Sequence, residues 1–178
     1  MSDIMILEKY GVILKRLTHD KIEMVRNWRN DPKISKYMEF REYITPEMQE
    51  EWFQRINNDN NFFFIIEHAG KEIGLVNAKD IDYEQKTVEG GIFIYDDDYL
   101  NSDIPFRASL CSSDFAFETL NLERVIIHVL SDNKRAIKYN LMLGFERQPN
   151  QENIHNQLYF MTKENYLKKR ALIKRLLN

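Results

Sequence analysis

A chain of 178 residues is long enough for one domain with a full core and too short for two ordinary ones. Its 43% hydrophobic, 12% aromatic and 30% charged residues leave no room for a long disordered tract. A formal net charge of -3 argues against a nucleic-acid binder, which relies on clustered positive charge to neutralise phosphates. The single cysteine, Cys111, has no partner for an internal disulfide, so a small buried thiol in a cytoplasmic protein is expected. Charge interrupts the chain start too early for a signal peptide, and no apolar run approaches transmembrane length, so no membrane partner is expected.

Taken in order, Tyr10 to Leu17 reads as a short strand, with Thr18 or Asp20 available to cap the helix that follows. Ile22, Val25, Trp28 and Arg29 fall at helical spacing until Asn30, Asp31 and Pro32 break the element, and a short helical piece runs on towards Tyr37 and Met38. Thr45 followed by Pro46 opens a third helix with a stripe of Met48, Trp52, Phe53 and Ile56. Phe62 to Ile66 is a buried strand, Glu72 to Ala78 its return, and Val88 to Tyr95 completes an antiparallel meander. Pro105 to Leu120 is a helix, Arg124 to Leu130 a strand, and this succession predicts parallel pairing with the strand at Val88. Another helix from Asn133 ends at Gly144-Phe145. His155 to Met161 is a last strand, and a charged helix over about 163–177 uses Tyr166, Leu167, Ala171 and Leu176 as its apolar members. The whole of 1–178 is one domain. His19, His68, His128 and His155 lack metal-ligand spacing, so no metal is assigned.

The order β, helices, βββ, α, β, α, together with Asn133, Ala136 and the closing Gly144-Phe145, resembles the GNAT superfamily of acyl-CoA-dependent N-acyltransferases over nearly the whole chain. The segment from Asn27 to Met38 is similar to the acetyltransferases of nucleotide-linked amino sugars, including the pseudaminic-acid pathway enzyme; ribosomal-protein and spermidine acetyltransferases share parts of the pattern. The resemblance implies an α/β (α+β) fold: a mixed, mostly antiparallel central sheet of 6-7 strands, flanked by helices, in which the fourth and fifth strands splay apart. It also implies acetyl-CoA as co-substrate and a small-molecule amine as acceptor.

In such folds the pantetheine arm pairs with the splayed strand, here Ile92, Ile94 and Tyr95, in the manner of an added strand. The pyrophosphate rests on the start of the next helix, entered here through Leu100, Asn101, Ser102, Asp103 and Ile104. That loop departs from the family: Leu100, Asp103 and Pro105 stand where Arg or Gln and two small residues are usual. Asn101 and Ser102 remain as donors, and Arg107 and Arg135 as positive charge. Asn133 is expected both to cap its helix and to reach the pantetheine. Glu89 is the candidate base, reading equally as a surface carboxylate. The tyrosine usual seven residues after the late-helix asparagine is replaced by Asn140, so Tyr139 is either the acid for the leaving thiolate or a packing residue. Trp28, Arg29 and Met38 are candidates for the acceptor site, with Arg29 pairing a diphosphate and Trp28 offering an apolar face; the alternative is a buried Trp28 and an Arg29 held in an ion pair.

The expected activity is N-acetyl transfer to a small polar amine, first a nucleotide-linked amino sugar. Two alternatives stay open: a GNAT-fold binding or regulatory module with a degenerate phosphate loop, and a protein N-terminal or polyamine acetyltransferase. A homodimer is among the assemblies left open.

Overall fold

The computed structural model describes residues 4–177; the expectation about the chain start falls partly on residues 1–3, outside that range. Strands β1 (Ile6–Lys9) and β2 (Val12–Arg16) form a hairpin closed by Tyr10 and Gly11, whose φ values of 58° and 78° are the left-handed pair that a tight two-residue turn requires. The strand read from sequence over Tyr10 to Leu17 corresponds to β2 and its turn, and β1 is missed, because it is a four-residue edge strand with mostly exposed side chains and no alternation to mark it. Helix α1 (Ile22–Asn30) follows a single 3-10 turn. Neither Thr18 nor Asp20 caps it: the Thr18 hydroxyl donates to the Asp20 carboxylate instead, at 2.6 Å. Asp31 caps the short α2 (Pro32–Ser35) through Lys33 N, and Thr45 caps α3 (Pro46–Ile56) through Met48 N. On α3 the expected stripe is shifted: Met48 is exposed and Gln49 is buried in its place, its amide donating to the Ile22 carbonyl at 2.8 Å.

The meander is β3 (Phe62–His68), β4 (Lys71–Asp82) and β5 (Thr87–Ile94). Phe62 to Ile66 are all buried, because helices cover both faces of β3. Helix α4 (Ile104–Asp114) continues through a π-helical turn over Phe115–Thr119, giving the apolar run its predicted end. Strand β6 (Arg124–Leu130) leads to α5 (Lys134–Leu143), which stops at Gly144 with φ of 110°. Strands β7 (Glu146–Arg147) and β8 (Asn156–Thr162) and helix α6 (Lys163–Leu177) complete the chain. In α6 the buried residues are Tyr166 and Ile173, whereas Leu167 and Leu176 are exposed, so the apolar phase read from the sequence is corrected.

The strands form one eight-stranded sheet in the order β1-β2-β3-β4-β5-β6-β8-β7, antiparallel except for β5 with β6, two strands more than the lower expected count because β1 and β7 are too short to be read from sequence. The cluster around Phe64, Leu110, Phe117 and Met161 joins α4, α5 and α6 to one face; α1 and α3 cover the other through Trp28, Phe53, Ile65 and Leu75. Each large side chain buried in these layers contributes about 1.5–3 kcal/mol. Cys111 lies inside the first layer, where burial pushes its thiol up to about 11, which suits packing and not nucleophilic attack.

Candidate functional site

The parallel pairing of β5 and β6 lasts three residues: Thr87 with Arg124, Val88 with Val125 and Glu89 with Ile126. Beyond it β5 stays with β4 through Ile94, and β6 stays with β8, its partner from Arg124 onward, through Leu130, so a wedge opens between the two strands. Gly90 marks its apex: a Cβ there would come within 3.1 Å of Val125 Cγ1, so a side chain would push the strands apart sooner. Gly91 clears the opposite face, where a Cβ would stand 2.8 Å from Asn77 Oδ1. Five residues of β5, Gly90 to Ile94, thus offer one backbone edge to an extended ligand.

Ile92 and Ile94 lie on this edge with side chains in the α4 layer. Tyr95 does not share their position. Its N–H donates to the Ile73 carbonyl at 2.8 Å, and its ring stacks on Trp28, with centroids 5.4 Å apart, on the α1 face.

At the mouth of the wedge stands the start of α4. Ser102 Oγ accepts from Ile104 N and donates to the Tyr99 carbonyl at 2.7 Å, so it caps the helix from one position before the expected cap. Among the hydrogen bonds of the described residues, the N–H groups of Asn101, Asp103 and Phe106 have no acceptor. Unfilled donors at a helix start form an anion site, and Pro105 spends a position whose N–H would be free in any case. Arg135 braces this loop from α5, donating to the Leu100 carbonyl at 2.8 Å and to Asn101 Oδ1 at 2.6 Å. Arg107 reaches elsewhere: it donates to Asp103 at 2.8 Å and to the carbonyls of Tyr10 and Leu177, both at 3.1 Å. Asp103 is thereby neutralised within its own helix, its carboxyl held below the usual range by the Arg107 hydrogen bond. Asn133 caps α5, its Oδ1 accepting from Ala136 N at 3.1 Å.

Tyr139 points from α5 into α4. Its hydroxyl donates to the Pro105 carbonyl at 2.7 Å, which leaves Ser109 as the donor in the 2.6 Å contact between the two hydroxyls. Burial pushes its pKa well up, and its ring packs on Phe106 at 4.6 Å. Asn140, at the usual tyrosine position, donates back to the Ala136 carbonyl.

On the face opposite α4, Glu89 lies with Lys79 at 3.8 Å and His128 Nδ1 at 3.2 Å. The sequence reading passed over Lys79 and weighed His128 only as a metal ligand; their only signal is register, since both are strand residues brought beside Glu89 by pairing. Trp28 is buried. Arg29 sits over Trp52, 5.9 Å from guanidinium to ring centroid, and burial pushes its pKa down. Among the described residues it has no acidic partner within 4.0 Å. Met38 is half-buried in the turn after α2, its carbonyl holding Arg41. A cavity of about 700 Å³ opens beside Trp28 and Tyr95, six residues or about 20 Å along the strand from Glu89. It is lined by Glu67, Glu72, Asp96 and Asp97, each paired with a lysine: Lys15, Lys21, Lys71 and Lys33. No group of three metal-ligating side chains occurs among the described residues, and no described helix is long and apolar enough to cross a membrane.

A parallel strand pair that parts after three residues, with a helix start at the mouth of the gap and a carboxylate on its open face, is the architecture of an acyl-thioester-dependent acyltransferase. Comparison with known proteins agrees. Residues 12–146 match the acetyltransferase (GNAT) domain family. Spermidine N(1)-acetyltransferase of Escherichia coli K12 is 25% identical over 137 residues, 76% of this chain and 73% of that protein. The structure of a nucleotide-linked sugar GNAT, FdhC, is similar with a TM-score of 0.80 and 21% identity, covering 99% of this chain and 100% of that one. The Vibrio cholerae spermidine N-acetyltransferase in complex with CoA and spermine gives 0.77 and 22%, covering 88% and 98%. The chain belongs to the GNAT acetyltransferase family and is an acetyl-CoA-dependent N-acetyltransferase by class.

Proposed function

We propose that the protein acetylates the amine of a nucleotide-linked amino sugar. The pantetheine arm would lie along Ile92 and Ile94, with Asn133 within its reach, and the pyrophosphate on the unfilled N–H groups at the start of α4. Arg135 would hold that loop with Asn101, while Ser102 and Ile104 form its inner turn. Arg107 and Tyr95 are assigned to holding neighbouring elements. Proton removal falls to Glu89 and the side chains it holds, and Tyr139, its proton committed to Pro105, is assigned to joining α5 to α4.

The observation that carries the acceptor class is Arg29. A desolvated guanidinium without a carboxylate costs stability, and an anionic group on the acceptor would offset that cost. Trp28 serves by packing behind it, with Met38 at the rim. The likeness to the nucleotide-linked sugar enzyme supports the same class. A polyamine acceptor is the second reading, favoured by the spermidine acetyltransferase relatives and by the four carboxylates of the cavity. Those carboxylates already carry lysines, which a polyamine would have to displace.

Calorimetric titration with acetyl-CoA, then turnover on a panel of nucleotide amino sugars, polyamines and peptides, tests both parts. Turnover confined to phosphate-bearing amines is the expected result. Selective turnover of spermidine would replace this reading with the second, and no acetyl-CoA binding at millimolar concentration would leave a regulatory module.

A further inference from the structure

The proton that leaves the acceptor amine needs a base whose lone pair faces the wedge. We propose that His128 is a catalytic residue of this site, taking the acceptor proton on Nε2 while Glu89 holds Nδ1. The proposal rests on the acetyl-transfer reading above and adds a residue to it.

Geometry carries the case. Glu89 is the last residue of β5 to pair with β6, its partner being Ile126; His128 lies two residues further along β6 on the same face, where the strands have already parted. The imidazole therefore stands at the apex of the wedge, on the side away from α4. A carboxylate only accepts, so the 3.2 Å contact with Glu89 Oε1 places a hydrogen on Nδ1 and leaves the Nε2 lone pair free. Access is open as well. Helices α1 and α3 pack on the sheet as far as Phe93 and Tyr95, no β6 residue joins that cluster, and the His128 side chain is 39% exposed. The charged groups facing the ring are Glu89 on β5 and, through it, Lys79 on β4; the residue paired with His128 on β8 is the uncharged Leu158, and Arg124 lies four residues back, over Phe160.

The ammonium of Lys79 holds Glu89 in place from the other side, and an imidazole against a carboxylate is the arrangement that orients a ring and stabilises the imidazolium as it forms. The acceptor ammonium gives one proton to His128 Nε2, which passes it to solvent. The free amine then forms its C–N bond to the thioester carbonyl. The nitrogen of the adduct gives its second proton to His128, the C–S bond breaks, and that proton goes to the departing sulfur. The products are an amide, the CoA thiol and one released proton.

On the full chain, with an amine that turns over, His128→Gln is expected to lower kcat/KM for the acceptor about 10²-fold, to leave KM for acetyl-CoA unchanged, and to abolish the acid limb of the pH profile. Glu89→Gln, which keeps an acceptor for Nδ1 but no charge, is expected to keep the limb and lower kcat, because the forming imidazolium loses a neighbouring anion. A His128→Gln enzyme that retains rate and limb overturns the proposal. A second readout needs no acceptor: the ring 15N resonances of neutral His128 are expected to place its hydrogen on Nδ1, and a hydrogen on Nε2 instead overturns the pairing. Failure of the acetyltransferase reading looks different, since acetyl-CoA would then bind none of the three proteins.

Discussion

At the scale of single residues, Arg29 and Tyr139 make opposite predictions. Replacing Arg29 by Met removes a charge that burial already disfavours, so folding stability should be unchanged or higher, while kcat/KM for a nucleotide-linked amino sugar falls about 10–100-fold, the loss of one charge-assisted hydrogen bond. Thermal melts and steady-state kinetics on the same preparation check both halves. Tyr139→Phe should do the reverse. It leaves the Pro105 carbonyl and the Ser109 hydroxyl without their partner, costing about 1–3 kcal/mol, with kcat changed by no more than about twofold. A large fall in kcat at normal stability would return Tyr139 to the role of thiolate acid. Sequence periodicity foresaw both possibilities for this tyrosine, because a residue one position from the usual site is turned by about 100° around the helix. Only the fold shows what lies in the new direction: α4.

At the scale of elements, the loop before α4 carries an acidic residue and a proline at the start of a helix, and the structure shows how both are accommodated. The acidic Asp103 is paired internally, and Ser102 supplies the cap. Arg135 supplies the brace from a different helix. Arg135→Ala should therefore raise KM for acetyl-CoA several-fold, about 1 kcal/mol for two partly exposed hydrogen bonds, and leave the acceptor KM alone. Competition with CoA and with dephospho-CoA measures it. None of this was visible in the loop itself, since the arginine that serves it lies 34 residues away from Asn101. The strands were more legible. Phe62 to Ile66 and Arg124 to Leu130 announce themselves by β-branched and aromatic content, whereas β1 and β7 are too short and too exposed to carry a pattern.

At the scale of the whole molecule, the two ends of the chain are tied to the central helix by one carboxylate. Asp114, buried at the junction between α4 and the π-turn, accepts from Lys9, Tyr10, Tyr166 and Arg170, so the first hairpin and α6 meet on it. Burial alone would push its pKa up, but these four hydrogen bonds outweigh burial and hold it below the usual value. A carboxyl with a depressed folded pKa stabilises the fold above its unfolded pKa, near 4, and the contribution is lost as pH falls through the folded value. Asp114→Asn should therefore cost about 2–4 kcal/mol at neutral pH and flatten the loss of stability on acidification below about pH 4. Denaturant midpoints at several pH values decide it; Lys9 is nearly half exposed and contributes little to the figure.

The sequence by itself determined the order of the longer elements, the βαβ unit and the frame of Asn133 and Gly144-Phe145, because these rest on local periodicity, capping and left-handed glycine geometry. It named Glu89 and Arg29 as candidates but could not say what stands beside them. The tertiary structure decided that. Pairing of β5 with β6 is non-local and sets where the wedge begins, and with it that His128 faces Glu89. The packing of α1 on α3 leaves Arg29 over an indole with no acid in reach among the described residues. Proximity across strands and helices is a property of register and burial, which a one-dimensional pattern does not contain.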